Sequence, residues 1–240
     1  MYQLLSAIID QTHAPIIQFR FQNASEKTKA YETAPSNYHI DYFPITDEGR
    51  RTLLLNDSGF SLGGLSKVYS LDLIRSAGVR FAEGVSGYEE PLFTFPLKLS
   101  ADAFAYLDAE IYYYRYNPNS SIHSALNHPE KLWEHALVQE QVWNFVKNTE
   151  AFGHYYPEIE MYFLHSYFYE TLYFGKKRGF PLTAELFHAL CDGVKSKGLD
   201  YNGNSYLNDP SLQEDAQYLS LIDSSASMDD IQLEAALARL

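Results

Sequence analysis

Apolar residues near the start of the chain recur first at helical spacing and then at alternating spacing. The helical set consists of Leu4, Leu5, Ile8 and Ile9. The alternating set follows Pro15 and consists of Ile17, Phe19 and Phe21. This order predicts a helix, a short loop and a strand with one buried face. It is half of a β/α unit whose preceding strand is missing.

Turn-forming and apolar stretches alternate through the following part of the chain. Residues 23–44 are polar and rich in turn formers, which predicts a loop or a ragged hairpin. A further helix is predicted from about residue 88, because Glu89, Glu90 and Pro91 suit a first helical turn. The other predicted elements are a helix over residues 46–55, a short strand or turn leading into a helix over 66–74, strands over 103–107 and 110–116, and a turn over 117–121.

Helical patterns replace strands beyond residue 128. Proline or serine stands near the start of most of these helices. They are predicted over residues 129–148, 157–175, 181–194, 211–223 and 228–240. The segment 157–175 is apolar nearly all round, which is typical of a buried helix. The sequence therefore predicts an α/β region over residues 1–126, with a mixed sheet and helices, followed by an all-helical C-terminal region over 127–240.

Composition and charge exclude several classes of protein. Hydrophobic residues make up 46% of the chain, which indicates a globular core rather than disorder. The net charge of −13 disfavours binding to nucleic acid or to an anionic membrane surface. No apolar run reaches the ~20 residues of a membrane span, and the first residues do not resemble a signal peptide. Cys191 is the single cysteine, so an internal disulfide is excluded.

Two groups of residues carry candidate chemistry. Glu89 and Glu90 are adjacent carboxylates at a predicted helix start, where one of them can face a cleft. An acid pair that only stabilises the helix start is the alternative. Arg115 ends an aromatic strand and precedes a turn that holds Ser120 and Ser121, so these groups could bind a diphosphate through charge-assisted hydrogen bonds. An arginine at the rim of a strand is the alternative there.

The histidine spacing, the remaining glycines and the single cysteine add no further catalytic candidate. The histidines show no H-E-x-x-H spacing. The glycines of residues 59–64 lack the phosphate-loop pattern, and Cys191 has no activating pattern beside it. Hydrolase chemistry is therefore not indicated.

Several short segments, taken in order, resemble a known family. They are Ser66-Lys67-Val68-Tyr69, Arg80-Phe81-Ala82-Glu83-Gly84, Tyr88-Glu89-Glu90-Pro91-Leu92-Phe93, Tyr113-Tyr114-Arg115 and Ser121-Ile122. Their order and spacing resemble the C-terminal half of bacterial family-2 glycosyltransferases, which have the GT-A fold. The resemblance covers about Met1 to Ser124, and the helical remainder is similar to the variable extensions of some of these enzymes.

The resemblance implies roles for individual residues. Glu90 matches the general base that deprotonates the acceptor hydroxyl, and Glu89 matches the acid that braces it. The family has aspartate where this chain has Glu90, which moves the carboxylate by about one C–C bond, and ~1 Å of misplacement can cost ~100-fold in rate. Arg115 and Ser121 match positions near the donor diphosphate, with Ser120 as the alternative to Ser121. His123 is the candidate that could approach the metal.

The resemblance also implies a missing part. Family members begin with a nucleotide-binding half that ends in an aspartate-x-aspartate motif, which holds a divalent metal, Mn or Mg, and the donor diphosphate. No such motif precedes the matching region here. We therefore expect a truncated gene or a stand-alone remnant, with no metal bound and no transferase activity by this chain alone.

Two functions remain open from the sequence. The first is the acceptor-side portion of a sugar-nucleotide-dependent glycosyltransferase for surface polysaccharide synthesis, whose intact form binds a nucleotide-sugar donor and a glycan acceptor. The second is a non-catalytic binding or assembly module derived from such an enzyme. An exposed sheet edge would favour a homodimer. The expected location is the cytoplasm, with any membrane association made through partners.

Overall fold

The computed structural model describes residues 1–24, 37–55, 66–85, 88–115, 117, 120 and 128–240. The chain divides into two compact units. The first comprises Met1–Phe81 and Phe93–Ser120, and the second comprises Ala82–Leu92 and Ser121–Leu240. The second unit thus includes a short segment that precedes the helical region in sequence. The boundary near residue 126 stays a prediction.

The first unit contains a mixed sheet with helices. Its strands are β1 (Ile16–Ala24), β2 (Ile40–Pro44), β3 (Lys67–Tyr69) and β4 (Ala103–Arg115). Its helices are α1 (Tyr2–Thr12), α2 (Asp47–Leu55), α3 (Leu71–Ala77) and the part of α4 (Glu90–Ser100) that follows Leu92. The strand order is β2-β4-β1-β3, with β1 parallel to β4 and the two outer pairs antiparallel.

The core of the first unit lies between α1 and the two central strands. The helical spacing at the start of the chain places one apolar face of α1 against alternate residues of β1 and β4. The buried residues of this cluster are Leu4, Leu5, Ile8, Ala14, Ile17, Phe19, Ala105, Leu107 and Ala109. The predicted order of helix, loop and strand is therefore confirmed. Its strand, β1, is one of the two central strands of the sheet.

Strand β4 differs from the sequence prediction. Residues 103–107 and 110–116 were each expected to form a strand, whereas Ala103–Arg115 forms one continuous strand. Phe19 on β1 pairs with Leu107, but Arg20 pairs with Glu110, so β4 carries an irregularity between these positions. A bulge accommodates the extra residues without ending the strand. The break between the two predicted strands therefore marks a bulge within one strand.

The segment predicted as a loop or ragged hairpin also contains a regular element. Residues Ile40–Pro44 form β2, which pairs antiparallel with β4 from Leu107 to Ala103. Phe43 stacks on Phe104 with ring centroids 4.8 Å apart. This cross-strand pair helps to fix the register of β2 on β4.

The second unit is helical in its described residues beyond 128. Its α-helices are α5 (Lys131–Val146), α6 (Ala151–His154), α7 (Tyr156–Phe163), α8 (Glu170–Lys177), α9 (Ala184–Ser196), α10 (Gln213–Leu219), α11 (Leu221–Ser224) and α12 (Asp230–Leu237). The predicted helix over 211–223 is divided into α10 and α11. Thr183 and Asp229 cap α9 and α12 by accepting backbone N–H bonds.

The aromatic segment predicted over 157–175 runs from α7 to α8 through one stretch of π-helix. That stretch, Leu164–Tyr169, joins the two helices. Phe163, Leu164, Phe168 and Leu172 are all at most 1% exposed. Phe168 packs edge-on against Phe187 of α9, with ring centroids 5.6 Å apart. The predicted burial of this segment inside the chain is confirmed.

The predicted fold class is confirmed, because a mixed four-stranded sheet with helices is followed by a largely helical region. None of the helices among the described residues has the length and apolar character that crossing a bilayer requires.

Candidate functional site

The acid pair lies at the start of α4, as the sequence predicts. Glu90 is the first residue of this helix, Pro91 is the second, and Glu89 immediately precedes them. Both carboxylates are half-buried and belong to the second unit. A proline is tolerated in this turn because the first N–H groups of a helix have no intrahelical acceptor. An ionised carboxylate there is stabilised by the helix dipole.

Tyr88, the residue before this pair, has an unusual backbone conformation. Its φ of 61° lies in the left-handed region, which a residue with a bulky side chain rarely adopts. Its ring meets that of His135 edge-on at 4.8 Å and stacks on Phe174 at 6.1 Å. The Arg178 guanidinium donates a hydrogen bond to the Tyr88 hydroxyl oxygen. We call Tyr88, His135, Phe174 and Arg178 the Tyr88 clamp.

A line of polar side chains continues from this clamp into the helical unit. His135 Nδ1 lies 2.7 Å from the Thr171 hydroxyl, and its Nε2 lies 4.0 Å from a carboxylate oxygen of Glu170. The other Glu170 oxygen lies 3.7 Å from His165 Nε2. His165 Nδ1 in turn lies 2.6 Å from the buried carboxylate of Asp215. Four residues, His135, Glu170, His165 and Asp215, thus form a polar row.

The environment of His135 keeps its imidazole neutral. Its pKa is lowered to about 3, first by burial and then by the positive charge of Arg178 and by His165. The residue is 2% exposed. A neutral imidazole has one donor and one acceptor nitrogen, so it can bond the Thr171 hydroxyl without bringing a buried charge into the clamp.

Sequence reasoning did not identify the polar row. Its histidines are far apart in the sequence and show no metal-ligand spacing. His135 and Thr171 are 36 residues apart, and His165 and Asp215 are 50 apart. The structure gives one indication that the row is functional. His165 lies within the π-helical stretch, and such stretches are frequent at functional sites.

Two of the predicted donor-side residues, Arg115 and Ser120, lie in the first unit. Arg115 is the last residue of β4 and is exposed. Ser120 is half-buried, and its backbone N–H donates to the carbonyl oxygen of Asn117 at 3.0 Å. Arg115 and Ser120 thus lie at or shortly after the carboxyl end of β4. Ser121 and His123 lie outside the described residues.

The metal that the resemblance implies has no matching set of ligands in the described part of the chain. There, no group of three or more histidine, cysteine or acidic side chains is arranged to hold a metal ion.

A cavity of about 340 Å³ opens in the helical unit, between α8 and α10. Tyr173, Lys176, Lys177, Glu214, Gln217, Tyr218 and Leu240 line it. The Lys177 ammonium lies 5.4 Å from the centre of the Tyr173 ring, and Glu214 accepts a 2.6 Å hydrogen bond from the Tyr169 hydroxyl. Lys176, Lys177 and Glu214 thus place charges of both signs at this cavity.

Comparison with known proteins gives a fold relationship. No protein-family model matches the chain, and no curated protein matches it in sequence. Its structure is similar to that of S. aureus TarS residues 1–349 in complex with UDP-GlcNAc, with a TM-score of 0.55 and 16% identity over 94% of this chain. The same TarS region in complex with UDP gives a TM-score of 0.51 and 14% identity, again over 94% of this chain.

The chain spans 63% and 62% of the two TarS chains. The similarity extends beyond the region of Met1 to Ser124 that carries the sequence resemblance. That the chain is a C-terminal half stays a prediction. This similarity concerns the fold alone: the chain has a glycosyltransferase-like fold that resembles TarS.

Proposed function

We propose that the chain is the acceptor-side portion of a sugar-nucleotide-dependent glycosyltransferase for surface polysaccharide synthesis. The observation that carries this proposal is the structural similarity to TarS bound to UDP-GlcNAc, which covers 94% of the chain. The ordered segments that resemble family-2 enzymes support the same class of reaction. A UDP-sugar is accordingly the donor that we would test first.

Glu90 is the proposed general base. Its carboxylate takes the proton of the acceptor hydroxyl while that oxygen forms a bond to the anomeric carbon of the donor sugar. The bond from this carbon to the diphosphate oxygen breaks, and the nucleoside diphosphate leaves with the electron pair. Glu89 braces the position of Glu90. The half-buried start of α4 supports this assignment, since it holds both carboxylates at one defined point of the chain.

Arg115 and Ser121, with Ser120 as the alternative, are the proposed contacts of the donor diphosphate. A guanidinium and hydroxyl groups can form charge-assisted hydrogen bonds to phosphate oxygens, and these bonds strengthen as negative charge develops on the leaving group. The exposed position of Arg115 at the end of β4 leaves its guanidinium accessible to a ligand.

The test is sugar transfer from radiolabelled UDP-GlcNAc to a cell-wall glycan preparation. It should be run with this chain and with the chain extended by its upstream coding segment. Among proteins that fold, Glu90→Gln is expected to lower kcat by about 100-fold or more, since no base remains. Glu89→Gln is the matched control and should cost less.

Two results would count against this proposal. Full activity in the Glu90→Gln variant would show that Glu90 is not the general base. The absence of transfer from every common nucleotide sugar, in an extended protein with intact folding, would remove the main support for glycosyl transfer.

A second candidate is a non-catalytic binding module. Strand β2 is at the edge of the described sheet, and Tyr42 on it is 51% exposed. Such edges can pair with a second chain. Under this candidate the chain sediments as a homodimer and Tyr42→Lys shifts it to the monomer. A monomer at high concentration that retains sugar transfer would exclude it.

A further inference from the structure

The left-handed backbone conformation of Tyr88 must be stabilised by contacts with other residues. This conformation is unfavourable for a residue with a Cβ, and it persists only where the surroundings fix it. Tyr88 stands directly before Glu89 and two residues before Glu90, the first residue of α4. Its φ therefore sets the direction in which the chain passes through the acid pair and enters α4.

Three residues of the helical region contact the Tyr88 side chain from different sides. The His135 ring from α5 meets it edge-on, with an interplanar angle of 77°. The Phe174 ring from α8 stacks on it at 22°. Arg178, which follows α8, donates to its hydroxyl, and the guanidinium carbon lies 5.5 Å from the centres of both the Tyr88 and the Phe174 rings. The ring is thus fixed at its edge, its face and its polar end.

The groups that hold Tyr88 are themselves fixed. His135 is buried and anchored by its 2.7 Å contact with the Thr171 hydroxyl. Phe174 lies within α8, between the buried residues Leu172 and Gly175. The hydrogen bond to Arg178 joins positions 90 residues apart, so the local sequence around Tyr88 does not supply this support.

We propose that Tyr88 and Arg178 are positioning residues for the acid pair. Through the clamp, the helical region holds the left-handed turn at Tyr88 and so directs the Glu90 carboxylate toward the acceptor hydroxyl. This inference rests on the proposed function and assigns a task to the helical region. Positional precision matters because ~1 Å of misplacement can cost ~100-fold in rate.

Four variants separate the contacts of the clamp. Arg178→Met keeps the length of the side chain and removes its donors, and Tyr88→Phe keeps the ring and removes the acceptor. Arg178→Lys restores one donor. Lys177→Met is the matched control, because it makes the same change of charge one residue earlier, where the ammonium contacts Tyr173 rather than Tyr88.

The first measurement needs no enzymatic activity. In the full chain with ¹⁵N-labelled tyrosine, the left-handed conformation of Tyr88 gives a strong intraresidue NOE between its amide and Hα protons. We expect this signal to be lost in Arg178→Met, partly kept in Arg178→Lys and unchanged in Lys177→Met. An unchanged signal in Arg178→Met would overturn the clamp.

The second measurement is the sugar-transfer assay in the active protein. Arg178→Met is expected to lower kcat by about 10-fold or more and to leave the KM for the donor within about twofold, because the donor diphosphate is bound elsewhere. Arg178→Lys should recover part of kcat, and Lys177→Met should match the unaltered protein.

The outcomes distinguish this inference from the proposed function. A lost NOE with unchanged kcat would overturn the positioning role. A lost NOE in a protein that transfers no sugar from any donor would contradict the proposed function, and with it the positioning role, while the clamp itself would stand as a structural feature.

Discussion

Arg50 and Lys98 each bond to the last turn of the other's helix. The Arg50 guanidinium on α2 donates to the carbonyl oxygens of Lys98 and Ala101 at 2.6 and 2.8 Å. The Lys98 ammonium on α4 donates to the carbonyl of Leu53 on α2 at 3.2 Å. Carbonyl groups at a helix C-terminus lack intrahelical partners, and a nearby cation also complements the helix dipole. This exchange ties α2 to the carboxyl end of α4.

Arg50→Met is expected to destabilise the protein. The variant keeps the aliphatic stem but leaves two carbonyl groups without their charged donor, and hydrogen bonds to charged groups contribute about 1.5–3 kcal/mol. We expect the free energy of unfolding, measured by urea titration with circular dichroism, to fall by about that amount.

The neighbouring arginine provides the control for this prediction. Arg51 pairs with Asp47 at 3.2 Å on the helix surface, where 55% of the aspartate side chain is exposed. Such pairs contribute about 1 kcal/mol or less. If Arg51→Met costs as much as Arg50→Met, the exchange between α2 and α4 is not the stabilising feature.

Gly193 is required by a close approach between α9 and Tyr167. A Cβ at this position would lie 2.1 Å from the Tyr167 hydroxyl oxygen and 2.6 Å from the adjoining ring carbon. We expect Gly193→Ala to lower the free energy of unfolding by about 1–3 kcal/mol, because the packed tyrosine must shift. Thermal and urea unfolding measure this loss.

Gly153 is the matched control within the same unit. It lies in α6, and a Cβ there would meet no atom within 4 Å. Alanine has the higher helix propensity by about 1 kcal/mol, so Gly153→Ala should leave the stability unchanged or raise it. A destabilisation equal to that of Gly193→Ala would show that the contact with Tyr167 is not the cause.

Cys191 should be unreactive in the folded protein. It is 4% exposed, and burial raises the pKa of its thiol to about 12. The thiolate is the reactive form, so a disulfide reagent such as DTNB at pH 8 is expected to modify Cys191 only when the chain unfolds. The rate should follow the unfolded fraction across a urea series. Rapid reaction without urea would contradict the burial of this thiol.

The local sequence predicts the fold in this protein better than it predicts the contacts between distant elements. The start of α4 was predictable, because an acid and a proline at Glu90 and Pro91 are local signals of a helix start. The parallel pairing of β1 with β4 was not, because Ile17 and its partner Ala105 are far apart in sequence. The sequence predicts two strands where β4 is one, because the bulge interrupts the alternation of apolar residues.

The candidate site shows the same division. Glu89 and Glu90 were found from a short pattern, whereas the residues around Tyr88 come from helices that follow much later in the chain. No periodicity relates Tyr88 to Arg178, and a tyrosine in a left-handed conformation has no sequence signature, since that region is typical of glycine, asparagine and aspartate. Only the packed helices bring these groups together.

His135 should make the protein less stable as the pH falls. Its pKa is about 3 in the folded protein, against a usual value near 6.5 in an unfolded chain. Between these values the unfolded state binds a proton that the folded state excludes. The contribution of His135 is therefore present above about pH 6.5 and is lost as the pH falls toward 3.

This loss has a maximal slope of about 1.4 kcal/mol per pH unit for one proton. His135→Asn keeps a polar group near the position of Nδ1 and removes the titration, so its unfolding free energy should decline less steeply between pH 6.5 and 4.5. Urea titrations at each pH give the slopes. His188→Asn is the control, because the His188 side chain is 50% exposed. Equal slopes in the unaltered protein and in His135→Asn would show that His135 is protonated while folded, and the neutral imidazole beside Tyr88 would then be wrong.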